Sequence, residues 1–461
     1  MIRKILTCAL LVAAGPALAV DGLLDSSFGI FSSGRNVAAP DQGGTNSDKL
    51  ADVLVGADGA VFLVGTTEGS GGTSRYSITK MTANGILDNS FGTNGTVLSG
   101  LTSVVANRAR LDSAGNILIA GSRGFSGMDR DFSLCRYNQL GQPVNFSALT
   151  SHCLTVAFDV SGGNLTDVAN DVIVEPSGKI VLAGIAGFSA TRDLAAVARL
   201  MPDGTLDTTF NTDGKNTEQA TIGKLNHFNA IAVQPDGKYI AVGETGDPTL
   251  PDGTAALFSR LTTSGNFDPS YNSGAGYSTY SINIGDPFFR NESATRITIL
   301  GNGKILMGGT SQYGSSSNKL LAFVYRINPS TQTNVDPSFG TAGVAKLGGG
   351  FAYELGDMLV QSDGKIVLIG TDSPTSGSAR DMHIIRLLSN GSTDNDDFGT
   401  IARTTIDFVL PGELDFGISG ALQNGRIIVA GHSLRAAPQN YDLTVAGLSN
   451  DLIFADNFDG Q

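Results

Sequence analysis

The sequence predicts an all-β fold, a seven-bladed β-propeller of four-stranded blades, and three observations carry that reading. A short apolar strand, a Gly-centred turn and a second strand closing on Gly recur seven times. The turn glycines, Gly59, Gly115, Gly178, Gly237, Gly303, Gly364 and Gly425, follow one another at intervals of 56 to 66 residues. Helix signals are almost absent, while 60 Gly and 15 Pro punctuate runs rich in Val, Ile and Thr, a composition suited to strands and tight turns.

At the N-terminus, Arg3 and Lys4, the apolar run 5–14, the breaker Gly15-Pro16 and Ala17-Leu18-Ala19 give the charged, apolar, small-x-small order of a secretory leader. Cleavage is expected after Ala19. The apolar run falls short of the roughly 20 residues that a spanning helix needs, so the expectation is a monomer with no membrane span, exported to the periplasm or beyond. Losing residues 1–19 moves the net charge from −13 to about −15. That excludes nucleic acid as a partner class, because affinity for phosphate backbones comes from clustered Lys and Arg. Two cysteines remain, Cys135 and Cys153, which in an oxidising compartment can form one disulfide, the alternative being two buried thiols.

The repeat itself starts at residues 55–65 (VGADGAVFLVG) and ends at 423–431 (QNGRIIVAG). Between copies come a variable loop, a strand ending in a basic residue, a polar turn and a segment of the form LDxSFG, as in 198–210 (ARLMPDGTLDTTF). Tight turns that need positive φ between alternating apolar residues mark hairpins. Two hairpins per unit give four strands, with LDxSFG expected as the fourth. Such units bury both faces only by stacking around an axis. The extra copy at 24–29 has no blade of its own and can complete blade seven, latching the ring; the competitor for that slot is 452–458 (LIFADNF). The resulting domains are a leader (1–19), a propeller (20–449) and a tail (450–461).

The alternation of DGKIxVAG, a basic residue and DGxLDxSFG resembles the delta-60 repeat family of secreted bacterial proteins, over essentially the whole mature chain. The resemblance implies propeller blades and export, and it implies no catalytic residues. Copies depart from the pattern at 142–147 (QPVNFS) and 267–272 (FDPSYN).

Two charged columns run through the repeats. Lys80, Arg199, Arg260, Arg326 and Arg386 precede Asp88, Asp207, Asp268, Asp336 and Asp394 by eight or ten residues, and are read as cross-strand pairs, one per blade. Arg136 has Val144 opposite it, and Gly447 stands where blade seven should carry its base. An aromatic column, Phe28, Phe91, Phe146, Phe210, Tyr271, Phe339 and Phe398, is read as wedges between blades.

Candidate binding residues are sparser. Asp207, Asn211 and Asp213, and Asp394, Asp396 and Asp397, put hard oxygen donors on Gly-bearing loops that suit Ca²⁺; no other cofactor is expected. Tyr277, Tyr280, Phe288, Phe289 and Arg290 crowd the connection 276–293, where aromatic faces beside a cation can stack on sugars or grip a peptide. The first-to-second and third-to-fourth turns should lie together on a tight face, leaving the opposite, variable face for binding. His152, His227, His383 and His432 form no HExxH, no GxSxG is present, and Trp is absent. The leading expectation is a secreted binding or scaffold module for protein or glycan, without catalysis. The alternatives are an envelope glycan hydrolase or lyase using carboxylates brought together at the axis, and a surface-adhesion component.

Overall fold

A computed structural model describes residues 21–450 apart from 41–46, 70, 126–128, 161–164, 190–191, 222–223, 248–252, 283–289, 314–319, 330–334, 349–351, 374–379, 409–413 and 437–438. The leader and the tail 451–461 lie outside the described residues. The strands form five four-stranded sheets and one of eight strands, in which Thr254 bridges Asn291. Among the described residues no helix is long and apolar enough to cross a membrane.

One antiparallel pattern repeats. Unit one is Asp48–Val55, Val61–Gly69, Thr73–Met81 and Thr96–Leu98. Unit two is Val104–Leu111, Ile117–Gly124, Arg130–Tyr137 and Cys153–Val156. Units three to six begin at Val168, Leu225, Arg290 and Ala352. Unit seven takes Leu414–Gln423, Arg426–Ala436 and Gln439–Ser449 from the end of the chain, and its fourth strand, Arg35–Ala38, from the beginning. Leu24 also bridges Leu448.

The two glycines of each repeat have separate causes. The turn glycines sit at φ between +70 and +82°, where a Cβ is disfavoured. The closing glycines face a β-bulge in the first strand: a Cβ on Gly121 would lie 1.8 Å from the Val105 carbonyl, and one on Gly431 1.6 Å from that of Phe416. Register shifts at this place occur in all seven units, for example between Ala106 and Arg108 and between Leu355 and Asp357. A bulge re-aims the residue that follows it.

The fourth strand is not the LDxSFG segment. That segment belongs to a wide connection, and the short strand follows it, as Thr96–Leu98 follows residues 87–92. The reason is local: Asp88 Oδ1 accepts from the Ser90 amide and hydroxyl, and this turn curls the chain out of the ladder. The third-to-fourth connection is therefore wide, whereas the first-to-second turn spans five residues or fewer in every unit. Its aromatics seal unit against unit. Phe28 covers Gly85, Phe91 covers Gly141, Phe146 covers Gly204, Phe210 covers Gly265 and Phe339 covers Gly391.

Candidate functional site

The charged columns form clamps. Nε of Arg199 lies 2.7 Å from Asp207, of Arg260 2.7 Å from Asp268, of Arg326 2.7 Å from Asp336 and of Arg386 2.8 Å from Asp394; Lys80 is 3.6 Å from Asp88. Lysines of the first-to-second turns join them: Lys179 reaches Asp207 at 2.8 Å, Lys238 Asp268 at 2.9 Å, Lys304 Asp336 at 2.7 Å and Lys365 Asp394 at 3.2 Å. Burial opposes ionisation of Asp207, but Lys179, Thr209 and Arg199 hold its carboxyl well below the usual range. Each guanidinium also stacks on the aromatic column, at 4.8 Å for Arg199 on Phe210, and crosses to the next unit, where Arg199 donates to the Thr263 carbonyl at 2.7 Å. In unit seven the Phe28 ring occupies the space beside Gly447, and Arg426 clamps Asp25 instead.

Several of the calcium candidates have protein partners. Asp207 and Asp394 are held by Arg and Lys. Asn211 donates to the Lys215 carbonyl, and Asp213 accepts from the Lys215 amide. Asp396 and Asp397 are exposed, with Lys365 3.9 Å from Asp397. Among the described residues, Asp381, Asp407 and Asp415 form a group whose carboxylate oxygens lie within 4.8 Å of one another, close enough to hold a cation. Asp415 also accepts from the Phe408 amide.

The aromatic candidates divide. Tyr280 is buried against Phe258 and Tyr325, and Tyr277 packs on Phe267. Both pair with Thr254–Leu261; Tyr280 is turned into the core, whereas Tyr277, on the opposite face of the strand, is half-buried. Phe288 and Phe289 lie outside the described residues; the Arg290 backbone pairs with Tyr313. Cys135 and Cys153 are joined by a disulfide between directly paired residues.

The residues re-aimed by the bulges converge. Arg108 lies 3.4 Å from Asp52, 3.7 Å from Asp171 and 3.4 Å from Asp357, and Arg296 lies 2.8 Å from Asp357. The Ser419 hydroxyl bonds both Asp52 and Asp357. These side chains come from units one, two, three, five, six and seven. All three carboxylates are buried and also accept backbone amides, of Ala109, Ile231 and Gly420. Burial opposes ionisation of Asp357, yet Arg108 and Arg296 keep its carboxyl far below the ordinary range. The cluster is a buried network of three carboxylates and two guanidinium groups held together by ion pairs. A signal for it does exist in the sequence: Asp52, Arg108, Asp171, Arg296 and Asp357 occupy one repeat position with mixed sign.

One surface feature had no sequence-level signal. Leu23, Ile30, Phe31, Ile86 and Ile401 are exposed, Phe31 by 96%. Backbone bonds join the segments that carry them: Gly399 donates to Asp21, and Gly29 donates to Asn84. Phe31 and Ile401 sit at φ +53 and +57°, where a bulky or β-branched residue is strained. Asn94 fills the matching turn of unit one at φ +50°.

Fold and site together define an all-β protein of propeller-like four-stranded units. A family model described as "Domain of unknown function (DUF5122) beta-propeller" matches residues 175–210, 234–271 and 361–396, which supports a β-propeller repeat family. Comparison with curated proteins gives no match. Similar solved structures include a Penicillium chrysogenum α-L-arabinanase with arabinobiose (11% identity, 74% of this chain and 92% of that one, TM-score 0.43). A polysaccharide lyase, ulvan lyase, aligns at 10% identity over 87% and 94% of the two chains with TM-score 0.47. A Fusarium graminearum α-L-arabinofuranosidase aligns at 10% identity over 75% and 93% with TM-score 0.41.

Proposed function

We propose that the protein is a closed seven-bladed propeller, exported from the cytoplasm, that serves as a non-catalytic docking module for a protein partner. Closure is supported by contacts between the first and last units: Ser419 with Asp52, Phe28 over Gly85, and Gln423 with the Gly59 carbonyl at 2.7 Å. Export by a leader at 1–19 accords with the Cys135–Cys153 bond.

The observation that carries the docking role is the exposure of Leu23, Ile30, Phe31, Ile86 and Ile401 on linked segments, with Phe31 and Ile401 held in a strained backbone. Exposed apolar clusters mark interaction surfaces, and strain persists where function requires the geometry. The alternative, a glycan hydrolase or lyase, would have to use central carboxylates that are paired with Arg108 and Arg296. A photoreactive residue at position 31 of the full chain, irradiated in envelope and culture-fluid fractions of the producing cell, should give a discrete cross-linked protein. Ile401→Asn should weaken that adduct. Release of oligosaccharide from a polysaccharide panel by the purified chain would overturn the reading in favour of an enzyme.

A further inference from the structure

In six of the seven units the wide connection is held by an aspartate, namely Asp25, Asp88, Asp207, Asp268, Asp336 or Asp394, paired with a base. Unit two differs. Val144 occupies the aspartate station, since its amide donates to the Arg136 carbonyl at 3.0 Å just as Asp207 donates to Arg199 at 2.9 Å. Asn116 stands at the position of the clamp lysine and bonds Asp112 within its own turn. The serine is missing as well, because Asn145 is followed directly by Phe146. Arg136 stacks on Phe146 at 4.2 Å and otherwise meets only carbonyls, those of Val144, Asn145 and Pro202 at 3.3, 2.6 and 3.4 Å; no ion pair involves it among the described residues.

The disulfide sits beside this gap. Cys135 immediately precedes Arg136 and pairs directly with Cys153, the first residue of the fourth strand. The matching pairs elsewhere are Thr79 with Thr96, Ala198 with Lys215, Ser259 with Tyr277, Tyr325 with Val344 and Ile385 with Arg403. Among these the covalent link occurs in the one unit without an acid clamp.

We infer that the Cys135–Cys153 bond replaces the Arg–Asp–Lys clamp of unit two and makes the outer edge of that unit a redox-sensitive strap. Cys135 is fully buried and Cys153 half-buried, so an external thiolate attacks the Cys153 sulfur. A dithiol such as dithiothreitol then supplies two electrons and two protons, the S–S bond breaks, both cysteines become thiols and the reagent closes to its cyclic disulfide. With neither bond nor clamp, Cys153–Val156 detaches from Arg130–Tyr137, and Phe146, beside Gly204 of unit three, is held to its own unit by the Arg136 stack without an acid partner.

The test is amide hydrogen exchange on the full chain with and without dithiothreitol. Reduction should accelerate exchange across Cys153–Val156 at least ten-fold and leave Thr96–Leu98 and Lys215–Glu218 unchanged. Adding Val144→Asp to a Cys135→Ser/Cys153→Ser chain should remove at least two thirds of that acceleration at neutral pH and none of it once the new carboxyl is protonated. Unchanged exchange at Cys153–Val156 on reduction, equal acceleration of all outer strands, or no rescue by Val144→Asp would each overturn the inference.

Discussion

Arg108 Nη2 lies 3.4 Å from Asp357 Oδ1 although 249 residues separate them in the chain. The contact joins unit two to unit six across the centre and shows that the inner strands share one polar focus. Removing one member of a buried, hydrogen-bonded charge group leaves the others uncompensated. Arg108→Met should therefore cost about 3–5 kcal/mol in urea-induced unfolding, whereas Arg110→Met, which removes only a 4.0 Å contact to Asp171 from a side chain that is 39% exposed, should cost about 1 kcal/mol or less.

The closing glycines make a sharper steric prediction. Gly121→Ala places a methyl group on the Val105 carbonyl and should destabilise by about 1–3 kcal/mol. Gly69→Ala, whose new Cβ would find its nearest neighbour at 3.6 Å, should leave the melting temperature within a degree or two.

His227 predicts a pH dependence. Its ring lies 3.1 Å from Asp193 and 2.9 Å from Glu244. Burial disfavours the charged ring, but these two carboxylates outweigh it and push the pKa up to about 9. A raised folded-state value means stability that is fully present below about pH 6.5 and is lost as the pH climbs through about 9. Melting temperatures at pH 6 and pH 9.5 should differ more for the wild type than for His227→Gln; equal differences would falsify the assignment.

The N-terminal segment is held by charge as well as by pairing. Arg426 binds Asp25, and its Nη2 donates to Ser27 at 2.6 Å. Arg426→Ala should speed hydrogen exchange across Arg35–Ala38 and open residues 21–40 to limited proteolysis, at a cost of about 1.5–3 kcal/mol.

Strand content and repeat number were legible because turn glycines and alternating apolar residues have strictly local causes. The place of the fourth strand was not, since Asp88 looks like a strand residue until its turn with Ser90 is seen. The clamp of Arg199 and Asp207 was visible as spacing, but the third partner, Lys179, was hidden in a turn whose lysine had an ordinary surface explanation. The central cluster escaped because a bulge opposite each closing glycine, not the period of the strand, decides which side chain faces inward. Tyr280 was misleading for a related reason: polar neighbours in the chain say little about a ring that its strand turns into the core.

The bulge positions also constrain how such a chain can change. Outer parts of the units are near copies, yet the inward-facing residues spell a different letter from unit to unit, Asp52, Arg108, Asp171, Ala230, Arg296, Asp357 and Ser419. Duplicating, deleting or shuffling a whole module would preserve every turn and every clamp while bringing like charges together in the middle. The modules are therefore not interchangeable, and the central pairing depends on both their number and their order.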